Sequence, residues 1–115
     1  MEFSYSLSVN NNIVLCQLKG RLMDKEQAAP MLAEIDRQVA ENNNKIILDL
    51  SGVDYMNSSG LNILVNILTK ARSKNGEVVI CNLSAKVKEL FIITKLNTLF
   101  HVSDDLAAAE TMLKK

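Results

Sequence analysis

The feature that most constrains the fold is a pair of short apolar runs with one segment of helical period between them. Residues 45 to 50 read KIILDL and residues 77 to 81 read EVVIC, and both resemble strands in the middle of a sheet. Between them we predict a helix from about Ser58 to Ser73, because NG at 75 and 76 is a typical helix end. Two strands joined by one helix form a βαβ unit, whose strands run parallel.

Two further strands are predicted at the start of the chain. Residues 3 to 9, FSYSLSV, alternate apolar and polar side chains with the period of a half-buried strand. Three asparagines follow at 10 to 12, and residues 13 to 20, IVLCQLKG, form a second apolar run that ends at Gly20. Because the connection is short and rich in Asn, we expect the two strands to form an antiparallel hairpin.

The remaining elements follow from helical spacing and from capping residues. A first helix is predicted from about residue 28 to about residue 41, with Pro30 within its first turn. Ser84 can cap a third helix, residues 99 to 102 form a last short strand, and Ser103 can cap a terminal helix with Asp104 and Asp105 in its first turn. The chain is therefore predicted to be one α/β domain over residues 1–115, with about five strands in a mixed, mostly parallel sheet, an N-terminal antiparallel hairpin and about four α-helices.

Composition argues against several classes of function. Thirteen basic residues balance thirteen acidic ones, so no net field attracts the chain to nucleic acid or to an anionic membrane. No run approaches the roughly 18 apolar residues of a membrane span, and the first residues lack the pattern of a signal peptide. We expect a soluble, cytoplasmic protein with neither nucleic-acid binding nor direct membrane contact.

Catalysis, metal binding and a cofactor are not expected. The two cysteines, Cys16 and Cys81, lie in apolar runs and are predicted to be buried rather than bridged. His101 is the single histidine, and the serines at 58 and 59 lack the leading glycine of the Gly-x-Ser-x-Gly motif of hydrolases. No glycine-rich nucleotide-binding loop occurs either.

The sequence MNSSG, residues 56 to 60, allows two interpretations. Asn and Ser are favoured helix caps, so the segment can simply begin a helix. The same hydroxyl groups would also lie at the carboxyl end of a strand, where open α/β sheets usually bind ligands. A phosphate there would meet the free amides and the positive end of the helix. Local physics permits both.

The segment ILDLSGVDYMNSSGLNILV resembles the signature of the STAS domain, and in particular of the small bacterial anti-sigma factor antagonists. Their pattern is an apolar strand, Asp-Ser-Ser-Gly or Asp-Ser-Thr-Gly, and an apolar helix. LKGRLMD is similar to the family's Gly-x-Leu-Asp turn, and VKELFIITKLNTLFHVSDDLAAAETML is similar to its carboxyl-terminal part. The resemblance covers nearly the whole chain, with Asn57 at the position of the family's Asp.

This resemblance implies a regulatory function. Such a protein binds an anti-sigma factor that is also a serine kinase, and so frees a sigma factor for transcription. The kinase phosphorylates the first serine of the pair, here Ser58, and the complex then separates until a phosphatase of the PP2C type restores the protein. The residues implied in partner binding are Asp24, Asn57, Ser58, Ser59 and Gly60.

The helix after Ser58 carries apolar side chains over an arc of about 200°, which is wider than one packed face requires. Either neighbouring helices cover the excess, or one edge of the arc stays exposed. We assign Ile63 and Ile67 to an exposed patch beside Ser58 that contacts the partner.

A second function remains possible for the same fold. A STAS domain that is never phosphorylated can serve as an interaction subunit of a transporter or of a sensory complex. Asn57 favours this alternative, whereas the intact pair Ser58 and Ser59 favours the phosphorylation switch.

Overall fold

A single five-stranded sheet organises the computed structural model, which describes residues 2–113. In this part of the chain the strands are β1 Ser4–Asn10, β2 Ile13–Leu22, β3 Lys45–Met56, β4 Glu77–Cys81 and β5 His101–Ser103. The α-helices are α1 Lys25–Ala40, α2 Ser58–Ser73, α3 Ala85–Ile93 and α4 Leu106–Leu113, and a 3₁₀ segment spans Leu96–Thr98. The predicted α/β class and the predicted bounds of α2 are confirmed.

The N-terminal hairpin turns through two asparagines in the left-handed conformation. Asn11 and Asn12 have φ angles of 54° and 66°, and Asn10 pairs directly with Ile13. A two-residue turn with positive φ at both positions matches the right-handed twist of the strands it joins. Asparagine tolerates this conformation better than most residues, so the turn residues determine the register of the predicted hairpin.

The sheet has the order β1-β2-β3-β4-β5, and every pair after the first is parallel. Side chains from α1, α2 and α3 form the main core with one face of the sheet, which includes Leu48 and Ile80. A smaller cluster joins α4 to the opposite face through Ile47 and Val79. All of these strand residues are buried, which explains why the two central runs lack alternation.

The first helix begins earlier than predicted. Asp24 caps α1 by accepting a hydrogen bond from the Gln27 amide at 2.8 Å, and the Gln27 side chain accepts one from the Asp24 amide at 3.2 Å. This capping box fixes the start at Lys25, so the prediction of a start near residue 28 was wrong. Pro30 therefore lies inside the helix, beyond its first turn, where its missing N–H leaves the Glu26 carbonyl without the usual donor.

Two details near the carboxyl terminus also differ from the prediction. β5 begins at His101 rather than at Leu99, because Leu99 and Phe100 belong to the turn that follows the 3₁₀ segment. Ser103 does not cap α4, since its hydroxyl group donates to the Asp105 carbonyl at 2.9 Å. The Asp105 carboxylate caps the helix instead, accepting from the Ala108 amide at 2.8 Å.

Asp49 is a buried carboxylate on the face of the sheet that carries α4. Burial alone would favour its neutral form, but three donors outweigh that effect: the Ser51 amide at 2.9 Å, the Gln17 amide group at 3.3 Å and the Asn82 amide group at 3.2 Å. The pKa of Asp49 is consequently lowered. The bond to Asn82 joins β3 to the loop that leads from β4 into α3.

Both cysteines are free and buried, as predicted. Cys16 belongs to the main core and Cys81 to the cluster under α4, so they lie on opposite faces of the sheet. Burial raises the pKa of Cys16 to about 12 and that of Cys81 to about 11. Both thiols therefore stay protonated and act as small apolar side chains.

Replacement of Pro30 by alanine should stabilise the protein. Pro30→Ala supplies the missing backbone donor in α1, and we expect the free energy of unfolding to rise by about 1 to 3 kcal/mol. Urea denaturation followed by circular dichroism measures the change. An unchanged or lower free energy of unfolding would contradict this expectation. It would mean that the proline ring stabilises the fold, by restricting the unfolded chain, at least as much as the missing hydrogen bond destabilises it.

Replacement of Asp49 should show a pH dependence with a definite sign. Because the folded pKa lies below the value of about 3.9 for an unfolded aspartate, ionised Asp49 stabilises the fold above about pH 4. Its contribution is lost as pH falls through the folded pKa. Asp49→Asn should lower the free energy of unfolding at pH 7 by about 1 to 3 kcal/mol. This deficit should shrink in acid.

Asp54→Asn is the matched control, because Asp54 is an exposed carboxylate on the same strand. Urea denaturation of the three proteins between pH 7 and about pH 3 provides the comparison. A deficit for Asp49→Asn that persists unchanged in acid would contradict the assigned role of the charge.

Candidate functional site

The candidate site is the amino end of α2, where β3 passes directly into the helix. Asn57 is the N-cap, with φ −104° and ψ −171°, and its Oδ1 accepts from the Gly60 amide at 2.9 Å. The helix then closes its first turn through a bond from the Leu61 amide to the Asn57 carbonyl at 3.0 Å. The capping interpretation of the MNSSG segment is therefore confirmed.

Gly60 brings the first turn of α2 against the end of β2. A Cβ atom at this position would lie only 2.2 Å from the carbonyl oxygen of Leu22 and 3.1 Å from its carbonyl carbon. Any side chain here would push helix and strand apart. The glycine is thus required by close approach of two backbones, and it fixes where α2 begins relative to β2.

Asp24 and Ser58 both follow strand ends at the carboxyl edge of the sheet. Leu22, the last residue of β2, pairs with Met56, the last residue of β3. Asp24, the N-cap of α1, comes two residues after Leu22, and Ser58, the first residue of α2, comes two residues after Met56. The amino ends of α1 and α2 are consequently neighbours. Asp24 is exposed, so its carboxylate both caps α1 and is accessible to solvent.

Ser58 and Ser59 are exposed in the first turn of α2. Their amides lie at the positive end of a 16-residue helix whose first turn contains no acidic residue. A negative group on Ser58 would be favoured by that dipole. The position is therefore both accessible to a modifying enzyme and able to hold a phosphate.

A groove of about 200 Å³ lies between α2 and the end of α3, and we call it the Ser58 groove. It is lined by Ser58, Leu61, Asn62, Val65, Thr94 and Leu96. Thr94 is the C-cap of α3, and Lys95 turns the chain in the left-handed conformation so that Leu96 enters the groove wall. The wall is largely apolar, while Ser58, Asn62 and Thr94 supply polar groups.

Apolar side chains are also exposed at the end of α3 and after it. Ile92 and Ile93, at the end of α3, are 54% and 68% exposed, and Leu99 is 44% exposed. Ile92 and Ile93 could have been identified from the sequence, because three successive apolar residues, FII at 91 to 93, cannot all face the core from one short helix. An apolar helix face that does not pack inward is typical of an interaction surface.

The prediction that Ile63 and Ile67 form an exposed patch was wrong. Ile63 is 2% exposed and Ile67 is fully buried, and both belong to the main core. The reason is that α1 packs along the side of α2 that carries them, with an ion pair of 2.7 Å between Lys70 and Asp36 at its rim. The opposite edge of the apolar arc faces the Ser58 groove, where Leu61 is 7% exposed and Val65 is half-buried.

The other chemistry considered from sequence is not assembled near Ser58. His101 lies 3.4 Å from Glu77, which begins β4 beside the carboxyl end of α2, at the other end of that helix from Ser58. Within residues 2–113, no three His, Cys, Asp or Glu side chains form a group that could hold a metal ion. In the same part of the chain, no helix is both long and apolar enough to cross a membrane.

Comparison with known proteins gives relatives over most of the chain. BtrV of Bordetella bronchiseptica, a proposed anti-sigma factor antagonist, is 29% identical over 106 residues, which are 92% of this chain and 90% of BtrV. The anti-sigma-B factor antagonist of Bacillus subtilis is 27% identical over 103 residues, covering 90% of this chain and 93% of the relative.

Solved structures with the same fold include two bacterial regulators. An anti-sigma factor antagonist of Mycobacterium paratuberculosis superposes with a TM-score of 0.82 at 21% identity, covering 99% of this chain and 96% of the other. The Bacillus cell fate determinant SpoIIAA in its phosphorylated form superposes with a TM-score of 0.74 at 18% identity, covering 95% and 99%.

A family profile agrees with these likenesses. The profile of the STAS domain matches residues 4–109, which include all five strands, the Ser58 groove and the first residues of α4. With that match over most of its length, and with the strand order and helix placement described above, the chain belongs to the STAS domain family.

Proposed function

We propose that this protein is an anti-sigma factor antagonist that binds an anti-sigma factor through the Ser58 groove and is released by phosphorylation of Ser58. The observation that carries the proposal is the position of an exposed serine on the rim of an apolar groove. The names of the relatives point to the same class of function. The proposed partner is an anti-sigma factor of the serine-kinase type.

The groove supports docking of a protein rather than of a small molecule. At about 200 Å³ it is smaller than typical ligand pockets, but it can accept one or two side chains of a partner. Leu61 and Val65 supply the apolar part of its wall. An apolar centre with polar groups at the rim is the usual arrangement of a protein interface.

Phosphorylation of Ser58 would act on this interface through charge. The γ-phosphoryl group of ATP, transferred to the Ser58 Oγ, adds a charge of roughly −1.5 to −2. The helix amino end stabilises that charge in the free protein, whereas a bound partner would have to bury it beside Leu61 and Val65. The modification therefore favours the separated state.

The neighbouring residues have distinct proposed roles in this switch. Asp24 presents a second carboxylate at the same edge, so a phosphate on Ser58 would increase the negative charge that a docked partner has to desolvate. Asn57 holds the first turn of α2 as a neutral cap. Gly60 keeps the turn against β2, and Ser59 offers a second exposed hydroxyl group to the partner.

Reversal of the switch requires hydrolysis of the phosphoserine. We propose a phosphatase of the PP2C type, because the exposed position of Ser58 in the first helical turn leaves the phosphate accessible. Within residues 2–113, no group of side chains could hold a metal ion, and His101 lies with Glu77 rather than with Ser58. In this scheme the protein is a substrate of its two enzymes and acts by binding.

Phosphorylation is expected at Ser58 and not at Ser59. Incubation with ATP and the kinase encoded near this gene, followed by phosphopeptide mass spectrometry, identifies the modified residue. Ser58→Ala should abolish the product and retain binding of the unmodified kinase. Ser58→Asp should weaken binding by at least tenfold, which corresponds to about 1.4 kcal/mol.

Ser59→Ala is the matched control and should be phosphorylated like the wild type. Calorimetry of the three variants against the same kinase compares their affinities. A product on Ser59 alone would reject the assignment. If no kinase encoded nearby binds or modifies the protein, the phosphorylation switch is excluded. The alternative function, an unphosphorylated interaction subunit of a transporter or sensory complex, would then replace it.

The groove itself is tested by a charge on its wall. Val65→Asp places a carboxylate in the groove, and we expect at least tenfold weaker binding of the anti-sigma factor because that charge would lose water on docking. Asn66→Asp adds the same charge one residue further, on an exposed position outside the groove, and should bind like the wild type.

Circular dichroism and urea denaturation must show that both variants remain folded, since Val65 is half-buried. Equal affinities for the two folded variants would place the interface elsewhere on the domain. By contrast, Ile63→Asp should unfold the protein, because Ile63 is part of the core.

A further inference from the structure

β1 forms one edge of the sheet, and its outer side is open. The strand spans Ser4–Asn10 and pairs only with β2, in an unbroken register from Ser4 opposite Lys19 to Asn10 opposite Ile13. Within residues 2–113 no other strand lies beside it. Alternate N–H and C=O groups of this strand therefore point away from the sheet without a strand partner.

The usual devices that protect such an edge are missing from β1. Its sequence, SYSLSVN, contains neither a charged residue nor proline, and its register with β2 shows no bulge. The opposite edge is different, because β5 has only three residues and is too short to template another strand. An uncharged, regular edge strand of seven residues is suited to pairing with a further strand.

The side chains of β1 are complementary to a second copy of β1. We propose that two molecules of this protein pair through antiparallel β1 strands, with Leu7 on the twofold axis, to form one continuous ten-stranded sheet. This register places Tyr5 opposite Val9 of the partner subunit, and Ser6 opposite Ser8 of the partner subunit. Leu7 meets Leu7 of the partner subunit, and Ser4 meets Asn10 of the partner subunit.

Each of these pairs is favourable or neutral in a sheet. An aromatic side chain opposite a β-branched one and a serine opposite a serine are stabilising cross-strand pairs. Val9 is 41% exposed in the single molecule, and pairing with Tyr5 of the partner subunit would cover it. No like charges face each other in the register, and the net charge of zero produces no general repulsion between copies.

The predicted dimer is weak because the contact is small. One pair of seven-residue strands buries less than the roughly 1,000 Å² of a stable interface, so association should depend on concentration. The Ser58 groove lies between α2 and α3, on the far side of α1 from β1. Dimerisation through β1 therefore leaves that groove accessible in both subunits.

A charge-reversal pair of variants tests this pairing. Ser6 and Ser8 are exposed and face each other across the proposed twofold axis. The double variant Ser6→Lys, Ser8→Lys places two positive charges opposite each other across the contact and should abolish the dimer. The double variant Ser6→Lys, Ser8→Glu places a positive charge opposite a negative one across the contact and should dimerise at least as well as the wild type. Sedimentation equilibrium between about 10 μM and about 1 mM covers the range of a weak dimer.

Both double variants alter the same two exposed positions, so a loss of folding would affect both and is checked by circular dichroism. A wild type that stays monomeric over the whole concentration range overturns the proposal. So does a dimer that persists equally in both variants, since that result would place the contact on another surface.

Discussion

The contact between Gly60 and the carbonyl group of Leu22 determines how the site is built. With no side chain at Gly60, the first turn of α2 lies directly against the end of β2, and a Cβ atom would stand 2.2 Å from the carbonyl oxygen. This contact fixes the first turn of α2 at the end of β2, while the rest of the helix packs over β3 and β4. Ser58 is thereby held at the carboxyl edge of the sheet, where Asp24 caps α1, while the flank of α2 with Leu61 and Val65 faces the end of α3. The position of the exposed Ser58 and of its groove therefore depends on the close contact between the backbones of Gly60 and Leu22.

Much of this arrangement could be predicted from local sequence signals. The βαβ unit followed from two apolar runs and a helical period, and the bounds of α2 followed from Asn57, Ser58 and the NG sequence at 75 and 76. These signals act within a few residues, so they remain valid in the folded chain. The early start of α1 is determined by an equally local signal, the capping box formed by Asp24 and Gln27. This capping box could also have been identified from the sequence.

The exposed edge of α2 could not be predicted in the same way. The apolar arc has two edges, and the sequence does not say which of them a neighbouring helix covers. The structure places α1 against the edge with Ile63 and leaves the edge with Leu61 and Val65 beside the groove. Asp49 is a similar case, because its donors Gln17 and Asn82 come from distant parts of the chain. Both features depend on tertiary contacts.

The strand order of the sheet is also the order of the strands along the chain. Each strand therefore pairs with the one synthesised just before it, and no strand has to insert between two that are already paired. Such a sheet can grow from the hairpin outward while the chain leaves the ribosome, with each new helix closing over the strands that flank it. Because each parallel pairing closes a loop around only one helical connection, its entropic cost is lower than in a strand order that skips neighbours.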